Sequence, residues 1–171
     1  NELNSSENFL IAHNIPFDLG MLQKEGFKNK FTLIDTLRCA RHLLDNSPYH
    51  RLQYLRYSLE LYKNELDEAN RHNITIKAHD AIGDVLVMKL LLSKLVALAK
   101  HQFPQTNPMQ KLVELTKQPI FIKTFKFGKY KGRSIEEICD EDIGYINWFM
   151  KSMQLDEDMK YTLDKIMGHV E

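Results

Sequence analysis

Cysteine is scarce in this sequence. Cys39 and Cys139 are the two present, 100 positions apart, and they match neither a metal-ligand nor a redox spacing. A disulfide framework and a cysteine metal site are thereby excluded, and both thiols read as small, mostly buried residues of a reducing compartment. An excess of either charge is also missing. The 23 Lys and Arg cancel the 23 Asp and Glu, so whole-chain charge gives no footprint for nucleic acid and any such surface must be local. Long unbroken apolar runs are absent too: the richest, Val85 to Ala99, is interrupted by Lys89, Ser93 and Lys94, which predicts a core helix rather than a membrane span. Residues 1 to 8 are polar and unlike a signal peptide, so the expected location is cytoplasmic.

What is present, 43% hydrophobic and 27% charged residues over 171 positions, suits one soluble domain, or one with a small satellite. The balanced charges are segregated. From Pro119 to Arg133 there are five cations and no acid; from Ser134 onward there are ten acids against three lysines. A basic hairpin followed by acidic helices is the expected arrangement.

The most informative stretch is Phe9-Leu-Ile-Ala-His13-Asn14-Ile-Pro-Phe17-Asp18-Leu-Gly-Met21-Leu22. An apolar strand-like run leads through a polar corner into a helix whose Phe17, Met21 and Leu22 share one face. Asp18 then lies in the first turn. There it is either helix decoration favoured by the helix N-terminus or an oxygen ligand for a divalent cation. A second stretch, His79-Asp-Ala-Ile-Gly-Asp84, opens the longest apolar helix, with His79 at its entrance and Asp84 about one turn inside.

Asn14 to Asp18 and His79 to Asp84, in that order and with Ile34-Asp35-Thr36-Leu37 between them, resemble the second and third motifs of the DnaQ-like DEDDh 3′-5′ exonucleases. The resemblance implies that Asp18 and Asp84 are metal ligands, that His79 is the general base, and that Asn14 is a supporting or substrate contact. It also implies two Mg²⁺ or Mn²⁺ ions clamping the attacking and leaving oxygens of a phosphodiester. The segment Phe127-Gly-Lys-Tyr-Lys-Gly-Arg133 through Gly144-Tyr-Ile-Asn-Trp148-Phe resembles the small C-terminal domain of exonuclease X-like proteins. Lys129, Lys131 and Arg133 in it are candidate phosphate contacts, the alternative being a solubilised turn.

Along the chain, the patterns predict a strand at Phe9 to Ala12, a helix from Asp18 to Glu25 stopped by Gly26, a strand at Phe31 to Ile34, and a helix capped by Asp35. Leu52, Leu55 and Leu59 mark another helix, whose Arg51, Tyr54, Arg56 and Tyr57 suit either single-stranded nucleic acid or an ordinary amphipathic margin. Glu60 to His72 reads as a polar helix end and loop. Asn107-Pro108 opens a short helix inside a linker, and Phe121 to Phe127 alternates like an edge strand. Ser134, Asp142 and Asp156 begin the last helices.

The first family motif, Asp-x-Glu on a central strand, occurs nowhere in the sequence, and only thirteen residues precede Asn14. The expected fold is therefore α/β, an RNase H-like exonuclease core (residues 1–103) lacking its N-terminal strands, a linker (104–120), and a small α+β domain (121–171). The implied function is 3′-5′ exonuclease action on DNA, weak or absent in this chain alone. A non-catalytic nucleic-acid-binding or scaffold module and a polymerase-associated proofreading subunit are the alternatives. The strand at Phe9 should expose an apolar edge, to be covered by a second copy or a retained N-terminal fragment.

Overall fold

Residues 3–75 and 81–168 are described by a computed structural model of the chain. The runs Phe9–Ala12 and Thr32–Asp35 form β1 and β2, paired in parallel with Ala12 opposite Asp35. Parallel strands need a crossover, and helix α1 (Ile15–Lys24) supplies it. It starts three residues before the expected Asp18, because Pro16 in the first turn presets a helical φ and brings no N–H to satisfy. Its end is the expected one: Gly26 has φ 80° and donates to the Gln23 carbonyl, while Phe27 donates to the Leu22 carbonyl. Among the described residues β1 has one neighbour, so its outer edge is open, and Phe9 is 43% exposed. Between α1 and β2 lies a cavity of about 690 Å³, walled by Ile15, Leu19, Phe31 and Leu33 with Lys30 and Arg38 among its polar lining.

The chain divides into two compact units, Asn1–Gln118 and Pro119–Glu171. In the first, β2 leads into α2 (Thr36–Leu43), then α3 (Leu52–Ser58), a 3₁₀ turn (Leu61–Asn64), α4 (Glu65–Arg71), α5 (Ala81–Gln102) and α6 (Pro108–Lys117). The core joins Ile34 of β2 to Cys39, Leu43, Leu55, Leu91, Leu95 and Leu112. Helix α5 touches α2, α3, α4 and α6, which explains its apolar residues at nearly every angle. Cys39 is fully buried, and burial raises its thiol to about 11, the inert state expected of it.

Two expectations for this unit are corrected. Glu60 to His72 is a 3₁₀ turn plus a helix, and its acids are part of the packing. Glu65, 7% exposed, takes a two-bonded Arg56 guanidinium at 2.5 and 2.6 Å; Glu68, also 7% exposed, takes the Lys89 ammonium. The Lys89 contact holds the Glu68 carboxyl below the usual carboxylate range. The helix assigned to a linker, α6, instead packs on β2, α2 and α5 and buries Leu112 and Leu115. Its cap is as read: Asn107 accepts from the Met109 and Gln110 N–H groups.

The second unit holds α7 (Ile135–Glu141), α8 (Ile143–Ser152) and α9 (Glu157–Ile166), capped by Ser134, Asp142 and Asp156 as their sequence positions suggest. Phe125, Ile135, Ile138, Ile146, Phe149 and Leu163 form its core. The edge strand expected over Phe121 to Phe127 is not one. A single bridge, Thr124 to Ser134, is present, with backbone bonds joining Lys123 and Phe125 to residues 132–135, and the chain just before it lies along α9. There the Ile120 N–H reaches the Asp158 carboxylate and the Ile122 N–H reaches the Thr162 hydroxyl. The described structure is thus mixed α/β, mostly helical with one two-stranded sheet, and none of its helices is long and apolar enough to cross a membrane.

Candidate functional site

The corner between β1 and α1 is built around Asp35. This carboxylate, 2% exposed, accepts from three backbone N–H groups: Asn14 at 3.0 Å, Ile15 at 3.1 Å and Leu37 at 2.9 Å. The sequence signalled the Leu37 cap alone. The other two bonds arise because register places Asp35 opposite Ala12, so one carboxylate reaches the N-termini of α1 and α2 together. They fix Asn14 in the left-handed region, φ 85°, a conformation Asn tolerates better than most residues. The Asp35 N–H donates to the Thr116 hydroxyl of α6 at 2.9 Å.

His13 locks the same corner from its other side. Burial holds its imidazole below its ordinary value, favouring the neutral ring. The ring donates from Nε2 to the His50 carbonyl at 2.8 Å, and its Nδ1 lies 3.0 Å from the Thr36 hydroxyl, which donates to the Ala12 carbonyl at 3.1 Å. The first residue of the His-Asn pair is therefore a brace.

Asp18 emerges from this braced corner in the first turn of α1, exposed and making no hydrogen bond or ion pair among the described residues. Asp84 lies in the first turn of α5, also exposed, with one carboxylate oxygen accepting from Gln53 Nε2 at 2.8 Å. Gln53 in turn accepts from Arg56, which is anchored on Glu65, so α3 and α4 orient Asp84 through a polar chain. Nothing in the sequence marked Gln53. His79 lies outside the described residues. No described contact joins Asp18 to Asp84, and no three His, Cys, Asp or Glu side chains among the described residues are grouped to hold a metal ion. These donors by themselves do not fit a two-metal cage, which needs more oxygen ligands than two separate carboxylates.

In the second unit, the cations proposed to follow phosphates have internal partners. Arg133 makes a two-bonded pair with Glu141 at 2.8 and 2.9 Å, and Lys129 reaches Asp142 at 3.1 Å while lying 4.6 Å over the Tyr130 ring. The Lys131 ammonium makes no hydrogen bond or ion pair among the described residues, and the residue is exposed. Asp142 accepts from the Tyr130 hydroxyl at 2.6 Å, from the Tyr145 N–H at 3.0 Å and from Lys129; these, led by Tyr130, lower its carboxyl to about 2. A carboxyl lowered on folding stabilises above its unfolded value near 3.8 and loses that contribution as pH falls toward 2. Acid titration followed by fluorescence of Trp148, the single tryptophan, should therefore show this unit weakening between about pH 4 and 2, and Asp142→Asn should flatten the dependence.

Comparison with known proteins places these features in context. The family described as exodeoxyribonuclease X-like C-terminal matches residues 125–153. Exodeoxyribonuclease 10 of Escherichia coli strain K12 is 24% identical over 158 residues, covering 90% of this chain and 62% of that protein. The protein of the same name from Escherichia coli O6:H1 matches with the same identity and coverage. The chain thus spans 62% of the length of the curated relatives it matches. No solved structure matches it.

Proposed function

We propose, from the premise that this chain is exonuclease X-like, that it serves metal-dependent 3′-5′ hydrolysis of DNA on an RNase H-like core, with β1 and β2 as part of its sheet. The observation that carries the reading is the setting of Asp18: an exposed carboxylate, unpaired among the described residues, in the first turn of a helix that leaves a strand through a corner braced by Asp35 and His13. Among the described residues no partner competes for this carboxylate, and no ion pair there must be displaced by a ligand. Asp84, half-engaged by Gln53, is the second carboxylate of the proposal, His79 the base, and Asn14 and Lys131 contacts to the strand. The described residues do not complete a metal cage, so no reaction step is assigned to an ion.

The test is Mn²⁺ titration of the full chain followed by amide NMR. Paramagnetic broadening should reach residues around Asp18 and around Asp84 together, and Asp84→Asn should weaken it at both places, because two-metal sites confine their ligands to ions about 4 Å apart. Broadening confined to one of the two, or unchanged by the substitution, would refute a shared site. With no Asp-x-Glu in the sequence, nucleotide release from a 3′-labelled oligonucleotide should stay near background even with Mn²⁺ present. A second reading, a nucleic-acid-binding module without catalysis, is favoured by the lack of Asp-x-Glu in the sequence. It predicts oligonucleotide binding with no joint broadening.

A further inference from the structure

We propose that the second unit carries a base-stacking platform for single-stranded nucleic acid, formed by Phe127 and Trp148 with the lysines of the turn between residues 126 and 131. The proposal deepens the nuclease reading by naming how a strand is held, and it rests on that reading for the choice of partner. Four rings run in succession: Trp148 to Tyr145 at 5.6 Å, Tyr145 to Phe149 at 6.0 Å, and Phe149 to Phe127 at 5.9 Å between centroids. The middle of the run is interior, with Phe149 1% exposed and Tyr145 half-buried. Its ends are not: Trp148 is 53% and Phe127 48% exposed.

A single exposed aromatic is ordinary. Here two are fixed through a shared buried pair, so little side-chain freedom remains to be lost on binding a flat ligand. Helix α8 sets Trp148 and Phe149 three and four residues after Tyr145, on one face, and the Asp142 cap fixes where that helix begins. The charge around the rings is mixed: the Asp142 carboxylate, held by Tyr130 and Lys129, lies among three lysines of the turn. Lys126 and Lys129 flank Phe127 in sequence and Lys131 follows Tyr130; all three lysines are exposed, and Lys129 Nζ lies 4.6 Å from the Tyr130 ring and 5.9 Å from that of Tyr145. Exposed π faces interleaved with lysines are complementary to unpaired bases joined by phosphates. Arg133 is directed away from this role by its pair with Glu141.

Trp148, being the single tryptophan, reports on the platform directly. Titrating the full chain with a fifteen-residue oligothymidylate should quench its emission saturably, and EDTA should leave the quenching intact. Fluorescence anisotropy of a labelled oligomer should show about tenfold weaker binding for Trp148→Leu and for Phe127→Leu, the usual scale of one lost base–ring stack. Helix content, checked by circular dichroism, should be unchanged because both side chains lie at the surface. The logarithm of affinity should fall with that of salt with a shallow slope of about −0.7, the share of one cation on a single strand, because Lys129 is already paired with Asp142 while Lys131 has no ion pair among the described residues. Equal binding of an abasic oligomer would reduce the surface to charge alone and overturn the proposal. So would an absence of quenching accompanied by a sedimenting dimer that shields Trp148, which would assign the rings to a protein partner. Because stacking is read in EDTA, its loss is separable from failure of the joint Mn²⁺ broadening that tests the nuclease reading.

Discussion

Asp35→Ala is expected to destabilise the first unit by about 2 kcal/mol or more, since one buried and two partly buried backbone N–H groups lose their acceptor and a buried orphan costs roughly 1–3 kcal/mol. Urea unfolding followed by far-ultraviolet circular dichroism measures the loss. Asp35→Asn provides the graded comparison: it keeps one acceptor oxygen but turns an NH₂ group toward a backbone donor, so the expected loss is about half as large. A further distinction is spatial. Amide exchange should accelerate at Asn14 and Ile15 as well as at Leu37, whose N–H in the first turn of α2 has no acceptor within the helix once the carboxylate is gone. Acceleration confined to α2 would mean that Asp35 acts as an ordinary helix cap and leaves the corner beneath Asp18 to other contacts. A loss under about 1 kcal/mol for the alanine variant would show that water replaces the carboxylate.

How much of this was legible in the sequence follows from the range of the forces involved. Gly26 as a helix stop, Asn107 and Asp35 as caps, and the strand at Phe9 are set by chemistry within a few residues, and the structure has each of them. Helix α4 was missed because its acids are buried only by virtue of Arg56 and Lys89, which arrive from α3 and α5. The segment Phe121 to Phe127 misled for a related reason. Alternation records which side chains are inward, Phe125 at 1% exposed among them, but not what satisfies the backbone; here α9 side chains serve Ile120 and Ile122, and the backbone of residues 132–135 serves Lys123 and Phe125. At the candidate site, motif spacing marked Asp18 and Asp84, both of which stand in first turns of helices. The supports of those carboxylates, Asp35 across a strand pair and Gln53 across two helices, depend on register and packing that no local spacing encodes.

Gly128→Ala should be the most damaging single methyl group in the second unit, for two reasons that a paired substitution separates. Gly128 has φ 79°, where a side chain costs roughly 1–2 kcal/mol, and a Cβ there would lie 2.8 Å from the Tyr145 hydroxyl oxygen. Tyr145 cannot yield freely, because its ring packs on Phe125, Tyr130 and Phe149 and its N–H is held by the Asp142 cap. Displacing it disturbs the ring run that positions Trp148. Gly132 serves as the control: its φ is 86°, yet nothing lies within 4 Å of an added Cβ. Gly132→Ala should therefore cost about 1–2 kcal/mol of backbone strain alone, and Gly128→Ala about 1–3 kcal/mol more, the usual range for overpacking. Thermal melts followed by Trp148 emission read both, with an altered native emission maximum expected only for Gly128→Ala. Equal losses for the two variants would mean that Tyr145 swings aside at no cost, and that the ring run is looser than its buried centre implies.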